Sequence, residues 1–290
     1  MKKPKLFCVV GPTASGKTDY AIELAKALDG EVVSCDSMQI YRGMDIGTAK
    51  PTKEEMQGIP HHMLDFVDPA ESYSVADFVR DARICIQDIL QRGRVPILCG
   101  GTGLYVDSVL NQIEFAPKVQ DEAYREALKK MAEQEGAGAV YGLRQTADPR
   151  AADKIHPNNV KRVIRALEII KTTGLTKSEA DRQAKKEPVY DAEIYGMQME
   201  RERLYDRINL RVDRMMERGL LAEVDGLLRR GIPKTATSMQ AIGYKELAAY
   251  RRGEMTLEEA VETVKRESRR YAKRQMTWFR RNPDIQWIPR

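Results

Sequence analysis

The chain has 290 residues, of which 42% are hydrophobic and 31% are charged, and its formal net charge is +5 at pH 7. This length allows a sizeable hydrophobic core, arranged as one large domain or as two modest ones. The sequence contains no apolar run of the roughly 18 residues that a membrane-spanning helix needs. We therefore exclude a protein with membrane-spanning helices, and we expect a cytoplasmic protein.

The first third of the chain alternates strand and helix patterns. A continuous apolar run at residues 5–10 ends at a glycine, which is typical of a buried parallel strand and not of a signal peptide. A helix pattern follows from Lys17 to about residue 28, and then a second strand, EVVSCDS. The long helix VADFVRDARICIQDILQRG ends at Gly93 and precedes a third apolar strand, RVPILCGGTG. This alternation predicts a parallel α/β sheet with ligands at the carboxyl ends of its strands.

The pattern changes at about residue 115. Residues 120–186 are rich in Ala, Glu, Lys and Arg and have a helical pattern. PVYDAEIYGMQM at residues 188–199 restores a strand pattern, and DIQWIP predicts a last strand. Further helices are predicted at about 200–218, 220–230, 240–251 and 256–281. We therefore predict an α/β core, formed by residues 1–114 and 187–290, that is interrupted by an all-helical insertion at 115–186.

The stretch GPTASGKT matches the phosphate-loop pattern G-x-x-x-x-G-K-[ST] between a predicted strand and a predicted helix, which is the context that supports the motif. Backbone N–H groups of such a loop converge on phosphate oxygens, while the helix N-terminus and Lys17 add positive charge. The hydroxyl of Thr18 is expected to ligate Mg²⁺. The core is thus predicted to be a P-loop NTPase-like sheet flanked by helices. The predicted phosphate-binding residues are Gly11, Thr13, Ala14, Ser15, Gly16, Lys17 and Thr18.

The strand ends beside this loop do not match a nucleoside triphosphatase. Such an enzyme needs an aspartate at a strand end for Mg²⁺, but RVPILCGG runs into Thr102 without an acidic residue. The guanine-reading motif [NT]-K-x-D is missing too, which disfavours a GTP switch. The acid is instead Asp36, at the end of the second strand. From spacing alone, a helix N-cap or a plain Mg²⁺ ligand explains Asp36 as well as a catalytic role does.

A series of motifs along nearly the whole chain resembles the tRNA dimethylallyltransferases, also called tRNA isopentenyltransferases. Members of this family move a dimethylallyl group from its pyrophosphate to the exocyclic amine of the adenosine just 3′ of the anticodon. The eukaryotic members often carry a C-terminal zinc finger, and the sequence up to Arg290 has none, so we expect a bacterial-type enzyme. The motifs are GPTASGKT, DSMQIYRGMDIGTAKP, HHMLDFVDP, PILCGGTGLY, KRVIRALE, QAIGYKE and KRQMTWFR.

The resemblance implies a pyrophosphate in the loop and not a triphosphate. Lys17, the loop amides and Mg²⁺ on Thr18 would stabilise the negative charge that builds on pyrophosphate as the C–O bond breaks. Asp36 would act as the general base for the adenine amine. Thr102 would form a hydrogen bond near that amine or near the bridging oxygen. The substrates implied are tRNA and dimethylallyl pyrophosphate, with Mg²⁺ as cofactor, and we expect a monomer that does not contact membranes.

The resemblance also implies RNA contacts in several segments. An anticodon-loop adenine must be extruded into a pocket before its amine can react. The last predicted helix holds eight basic residues against one acid over residues 265–281, which suggests a polyanion partner. In this helix Tyr271 and Trp278 are expected to face the core. The predicted tRNA contacts are Asp36, Ser37, Met38, Gln39, Thr102, Lys161, Arg162, Arg165, Gln240, Gly243, Tyr244, Lys273, Arg274 and Arg280.

Three arginines recur at a spacing of four residues in the helix near 200–218. Arg203, Arg207 and Arg211 would repel one another on one helical stripe unless an anionic group lies opposite. We therefore predict that Arg207 or Arg211 binds the prenyl pyrophosphate. Ion pairing with neighbouring acids is the alternative explanation. Those acids are Glu202, Asp206 and Asp213.

Three other functions stay open from the sequence. A P-loop small-molecule kinase would share the loop, the sheet and the acid after the second strand, and it would transfer phosphate from ATP. A non-catalytic RNA-binding protein would keep the basic helix and need no general base. An adenylate isopentenyltransferase would keep the core motifs and act on free AMP. The insertion and the basic last helix argue against this third function, because AMP offers them nothing to hold.

Overall fold

A computed structural model of the chain describes residues 3–111, 113, 121–149, 155–176, 179 and 188–290. The chain divides into two compact units. The core unit comprises Met1–Leu110 and Pro188–Arg290, and the inserted unit comprises Asn111–Glu187. Among the helices of the described residues, none is both long enough and apolar enough to cross a membrane.

Six strands of the core unit form one sheet. Its order is β3-β2-β4-β1-β5-β6, and each neighbouring pair is parallel. The prediction of a parallel α/β sheet flanked by helices is therefore confirmed. The strands are β1 (Lys5–Val10), β2 (Gly30–Ser34), β3 (His61–His62), β4 (Val95–Gly100), β5 (Asp191–Gln198) and β6 (Ile285–Pro289).

The described helices follow the apolar periodicity of the sequence. A capping box at Ser74 and Asp77, for example, starts the second of them, and a Gly93 with positive φ follows its end. In chain order they are α1 (Lys17–Leu28), α2 (Val75–Gln91), α3 (Gly103–Leu110), α4 (Glu122–Gln134), α5 (Ala137–Ala147), α6 (Val160–Thr173), α7 (Arg201–Glu217), α8 (Leu220–Arg229), α9 (Tyr244–Arg251) and α10 (Leu257–Phe279).

The register of the sheet brings three loops together at the carboxyl ends of its strands. Val10 at the end of β1 lies opposite Gly100 of β4 on one side and Gly196 of β5 on the other. Ser34 of β2 lies opposite Cys99 of β4. The segments that follow β1, β2 and β4 therefore start side by side, at the edge where parallel sheets bind their ligands.

The inserted unit, as far as it is described, consists of α4, α5 and α6. Apolar residues on the facing sides of these helices form a hydrophobic core within the inserted unit. The Arg125 guanidinium also donates to the buried Glu168 carboxylate over 2.7 Å. The buried core residues are Leu128, Val140, Val163, Ile164 and Leu167.

Candidate active site

The loop between β1 and α1 has the backbone conformation of a phosphate-binding loop. Gly11 and Gly16 have φ values of 145° and 83°, and Ala14 between them has a φ of 62°. A side chain on Gly11 would place its Cβ 3.0 Å from the carbonyl oxygen of Met197 in β5. A glycine is needed there because the conformation is left-handed and because β5 passes so close.

Lys17 is folded back over this loop. Its Nζ donates to the Pro12 carbonyl over 2.6 Å, and the Ser15 hydroxyl donates to the same oxygen over 2.8 Å. Burial lowers the pKa of Lys17 to about 8, and the nearby Arg211 adds to this lowering. Because its charge is poorly solvated, Lys17 gains more from a bound anion than an exposed lysine would.

Two arginines of α7 contact the loop. The Nε of Arg207 donates to the Ala14 carbonyl over 2.9 Å, and one terminal guanidinium nitrogen of Arg211 donates to the Thr13 hydroxyl over 3.2 Å. Asp213, one of the acids weighed as an ion-pair partner, is bound instead to Lys265 at 2.8 Å. Both arginines thus lie where the sequence places the phosphate, and their binding of pyrophosphate stays a prediction.

Arg203, the third arginine of the stripe, lies farther out. It donates to the main-chain carbonyl of Arg290 over 3.2 Å. With Arg207 it lines an open cleft beside the loop. The other lining residues are Ser15, Gly16, Asp19, Met199, Pro289 and Arg290.

Asp36 lies in the turn after β2 and is half-buried. Its Oδ1 accepts the amide hydrogens of Met38 and Gln39, over 2.9 and 3.4 Å. No helix begins at this point, so the expectation of a helix N-cap is wrong and these bonds instead close the turn at residues 37–40. Both bonds use Oδ1, and Oδ2 takes part in neither of them. The charge of Asp36 also raises the pKa values of Lys17 and Arg211, opposing the effect of burial, so the three groups share one site.

Thr102 follows β4 and is bonded to the turn that carries Asp36. Its Oγ1 accepts the Ser37 amide hydrogen over 3.1 Å and lies 3.4 Å from the Ser37 hydroxyl. Its own amide donates to the Cys35 carbonyl over 3.2 Å. The structure thus brings the three predicted catalytic residues, Lys17, Asp36 and Thr102, to neighbouring strand ends.

The prediction missed two residues of α10 that reach this site. Gln275, which is only 5% exposed, accepts the Thr13 amide hydrogen and donates to the Gly101 carbonyl, each over 2.9 Å. Burial raises the pKa of the Tyr271 phenol to about 12, with a further rise from Asp36, and its hydroxyl interacts with Thr102. Both lie on the inward face of α10, opposite its exposed basic residues. The KRQMTWFR motif contains Gln275 and was the available sequence signal.

Trp278 on the same helix packs as predicted. Its indole Nε1 donates to Asp107 of α3 over 2.8 Å, and a Cβ on Gly103 would lie 2.2 Å from its ring. The neighbouring Lys273, Arg274 and Arg280 are exposed on the outward face. These three cations are accessible to a polyanion, and their contact with tRNA stays a prediction.

Two predicted RNA contacts, Gly243 and Tyr244, are wrong for direct contact. Both residues are buried, and the side chain of Tyr244 is 0% exposed. The Tyr244 hydroxyl donates to Glu223 over 2.5 Å, and its ring covers Gly47, where a Cβ would lie 2.5 Å away. Tyr244 therefore helps to fix the loop that follows Asp36. It binds Glu223, and the same Glu223 carboxylate accepts three amide hydrogens of that loop. These come from Asp45, Ile46 and Gly47.

The remaining predicted RNA contacts fall into two groups. Lys161, Arg162 and Arg165 of α6 and Gln240 of the core unit are exposed. Gln39 is half-buried and tied to its own loop, because its Nε2 donates to the Thr48 and Ala49 carbonyls, each over 3.2 Å. Ser37 and Met38 are also half-buried in the same turn.

Comparisons with known proteins show which family the chain belongs to. A family model described as IPP transferase matches residues 39–282, and one described as Isopentenyl transferase matches residues 4–69. The chain belongs to the IPP transferase family. The curated tRNA dimethylallyltransferase of Bacillus anthracis is 53% identical over 288 residues, which are 99% of this chain and 91% of that protein. Its counterpart in Bacillus cytotoxicus is 54% identical over 287 residues, 99% of this chain and 90% of that protein.

Solved structures of IPP transferases have the same fold. The full-length tRNA isopentenylpyrophosphate transferase of Bacillus halodurans superposes with a TM-score of 0.74 and 52% identity, covering 99% of this chain and 90% of that one. A eukaryotic dimethylallyltransferase acting on tRNA superposes with a TM-score of 0.84 and 32% identity, covering 99% of this chain and 74% of that one.

Proposed function

We propose that this IPP transferase moves the dimethylallyl group of dimethylallyl pyrophosphate to the exocyclic amine of the adenosine 3′-adjacent to the anticodon in tRNA, with release of pyrophosphate. The relatives named tRNA dimethylallyltransferase support the reaction. The observation that carries it is the hydrogen-bonded contact between the turn of Asp36 and Thr102, directly beside a phosphate loop. A base and a leaving-group site are thereby adjacent.

On the leaving-group side, the reaction builds negative charge on pyrophosphate as the allylic C–O bond breaks. The loop amides at the N-terminus of α1, together with Lys17 and Arg211, supply positive charge at that position. Arg207 and Arg211 already hold two loop residues through hydrogen bonds, so these cations need little rearrangement when the anion binds. Preorganised charge of this kind stabilises the transition state more than it stabilises the substrate.

Mg²⁺ fits this side of the site. Thr18 offers a hydroxyl oxygen at the start of α1, and Mg²⁺ prefers oxygen ligands and one or two protein contacts completed by substrate phosphates. Within the described residues no cluster of three His, Cys, Asp or Glu side chains could form an all-protein metal cage, which agrees with such a shared site. When bound, the ion supplies charge stabilisation for the departing pyrophosphate.

On the acceptor side, the adenine amine is a weak nucleophile because its lone pair is delocalised into the ring. Asp36 takes its proton as the C–N bond forms, and a positioned base of this kind contributes roughly 10²–10⁴-fold to rate. Thr102 orients the turn of Asp36 through Ser37 and faces the same space. The exposed basic face of α10 favours a polyanionic acceptor over free AMP.

The experiment is mass analysis of an anticodon stem-loop after incubation with dimethylallyl pyrophosphate and Mg²⁺. We expect the adenosine after the anticodon to gain one dimethylallyl group, and pyrophosphate to appear in equal amount. Parallel reactions contain AMP as acceptor or labelled ATP as donor. Faster turnover on AMP would identify an adenylate isopentenyltransferase, and label transferred from ATP would identify a kinase.

A further inference from the structure

Gln275 makes two hydrogen bonds that join separate loops of the site. Its Oε1 accepts the amide hydrogen of Thr13 in the phosphate loop, and its Nε2 donates to the carbonyl of Gly101 in the segment after β4, each over 2.9 Å. The side chain is 5% exposed, so water competes little for either bond. A buried amide with donor and acceptor both used in this way is strongly fixed in orientation.

The two loops joined by Gln275 lie on the two sides of the proposed reaction, one at the leaving group and the other at the acceptor. Thr13 belongs to the leaving-group side, while Gly101 immediately precedes Thr102 on the acceptor side. A displacement depends steeply on the distance and angle between its reacting groups, and a misplacement of about 1 Å costs about 10²-fold in rate. A residue that bonds to both sides controls that distance.

We propose that Gln275 is a positioning residue for prenyl transfer, linking the phosphate loop to the segment of Thr102 and fixing their separation. This inference rests on the proposed function. Gln275 does not touch the reacting atoms, and it acts through Thr13 and Gly101. Because its partners are main-chain groups, the link holds the backbone of both loops and not merely their side chains.

The residues around Gln275 leave room for its side chain and hold one of its partners in place. A Cβ on Gly101 would lie 2.1 Å from Nε2 of Gln275, so the position after β4 has to be glycine for the amide to reach. On its other side, the Thr13 hydroxyl accepts from Arg211 over 3.2 Å, so Thr13 is held at both its amide and its side chain. The Thr13 amide therefore serves the link, while the later amides of the loop serve the anion.

The link also connects the site to the RNA-facing helix. Lys273 and Arg274 directly precede Gln275 in α10 and are exposed, whereas Gln275 is buried. Successive residues of a helix point about 100° apart. The two cations therefore point to solvent, where we predict RNA to bind, while Gln275 points into the active site.

The test compares two variants with wild type in steady-state kinetics and in stem-loop binding. Gln275→Met keeps the length of the side chain and removes both hydrogen bonds. Gln275→Glu keeps an acceptor for the Thr13 amide and loses the donor to Gly101. We expect kcat to fall about 10- to 100-fold in each. The Kd for the stem-loop should change less than about twofold, and for Gln275→Met the KM for dimethylallyl pyrophosphate should change less than kcat.

Trp278→Phe is the matched control for the packing of α10. It removes the hydrogen bond to Asp107 on the same helix and leaves the link intact. Its kcat should stay within about threefold of wild type, and thermal unfolding of all variants shows whether stability accounts for any loss.

Three outcomes would overturn the inference: kcat retained within twofold in Gln275→Met, an equal loss of kcat in Trp278→Phe, or stem-loop affinity lost in proportion to kcat. If Gln275→Met does not fold, Gln275→Glu decides by the same criteria. A wild-type enzyme without product on the stem-loop would instead refute the proposed function. The two failures are therefore distinguishable.

Discussion

Asp36 has the hydrogen bonds of a residue that closes a turn, and it is also the predicted general base. Its Oδ1 accepts from Met38 and Gln39, which fixes the carboxylate relative to the turn. A base that is held by its own backbone loses little entropy when the substrate arrives. The turn bonds therefore leave the predicted role of Asp36 as a base open, because both of them use the same carboxylate oxygen.

Asp36→Asn should abolish most turnover and leave RNA binding largely intact. The amide side chain can still accept from the turn, but it cannot take a proton from the adenine amine. We expect kcat to fall about 10²- to 10⁴-fold, measured by single-turnover transfer to a stem-loop. If stem-loop affinity falls while kcat stays unchanged, the assignment of Asp36 as the base is wrong.

Arg211→Ala should weaken binding of the prenyl donor. Burial lowers the pKa of this guanidinium, so its charge is poorly solvated and gains strongly from a bound pyrophosphate. We expect the KM for dimethylallyl pyrophosphate to rise about tenfold, because charge-assisted bonds contribute about 1.5–3 kcal/mol. Arg214→Ala, an exposed change in the same helix, is the control. Equal KM values for the two variants would refute this role.

At the scale of elements, α10 has two faces with separate tasks. Its inward face carries Gln275, which is bonded to the loops after β1 and β4, and Trp278, which packs on α3, whereas its outward face carries Lys273 and Arg274. Part of the positive charge of this helix is already compensated, since Lys265 pairs with Asp213 and Arg270 pairs with Glu267. Among the residues that the structure describes, Lys273 and Arg274 form no ion pair, so their charge is available to an anionic partner.

A double variant of Lys273→Ala and Arg274→Ala should lose tRNA affinity in a salt-dependent way. Each lost phosphate contact lowers the slope of log Kd against log salt by about one. Filter binding between low and physiological salt measures the slope. Arg252→Ala, which removes a cation paired with Glu254 elsewhere on the core unit, should leave it unchanged. An unaltered slope in the double variant would exclude phosphate contacts at this face.

Glu223→Gln should destabilise the loop that follows Asp36. The carboxylate of Glu223 binds three amide hydrogens of that loop and the Tyr244 hydroxyl. Losing its charge weakens four bonds at once, and we expect the free energy of unfolding to fall by about 1–3 kcal/mol in denaturant titrations. The exposed change Glu217→Gln is the control. Equal unfolding midpoints would show that this carboxylate does not anchor the loop.

At the scale of the whole molecule, the core unit contains the complete sheet and the phosphate site, while the inserted unit has a core of its own. Its α6 exposes Lys161, Arg162 and Arg165. A guanidinium nitrogen of Arg165 lies 3.5 Å from a carboxylate oxygen of the buried Glu168. The side chains of Lys161 and Arg162 are exposed to solvent. We therefore predict that these cations contribute to RNA affinity and not to the chemical step.

A triple alanine variant at Lys161, Arg162 and Arg165 should lower stem-loop affinity and preserve the chemical step. We expect Kd to rise about tenfold at low salt, with kcat at saturating stem-loop within about twofold of wild type. Lys129→Ala, which removes an exposed cation of α4, is the control. A loss of kcat without a change in Kd would mean that these cations do not serve RNA binding.

Local patterns predicted the parts of the fold and of the site that depend on neighbours in sequence. The apolar runs, the glycine spacing and the arginine spacing gave β1, β4, the phosphate loop and the position of Arg211. Gln275 and Glu223 could not be found in this way, because their partners Thr13 and Asp45 lie 262 and 178 residues away. Tyr244 was assigned wrongly because a motif does not distinguish a residue that touches RNA from one that supports the loop beneath it.

The position of β1 in the sheet has a consequence for the ribosome-bound chain. β1 lies between β4 and β5, and β5 follows the whole inserted unit. A nascent chain that has emerged only as far as the inserted unit has β1 paired on one side, and Gly11 lacks its contact with Met197. Thr13 obtains its bond to Gln275 only after α10 emerges. Pairing between such distant segments is slow to form, so the phosphate loop obtains its full set of contacts only after both β5 and α10 have been synthesised.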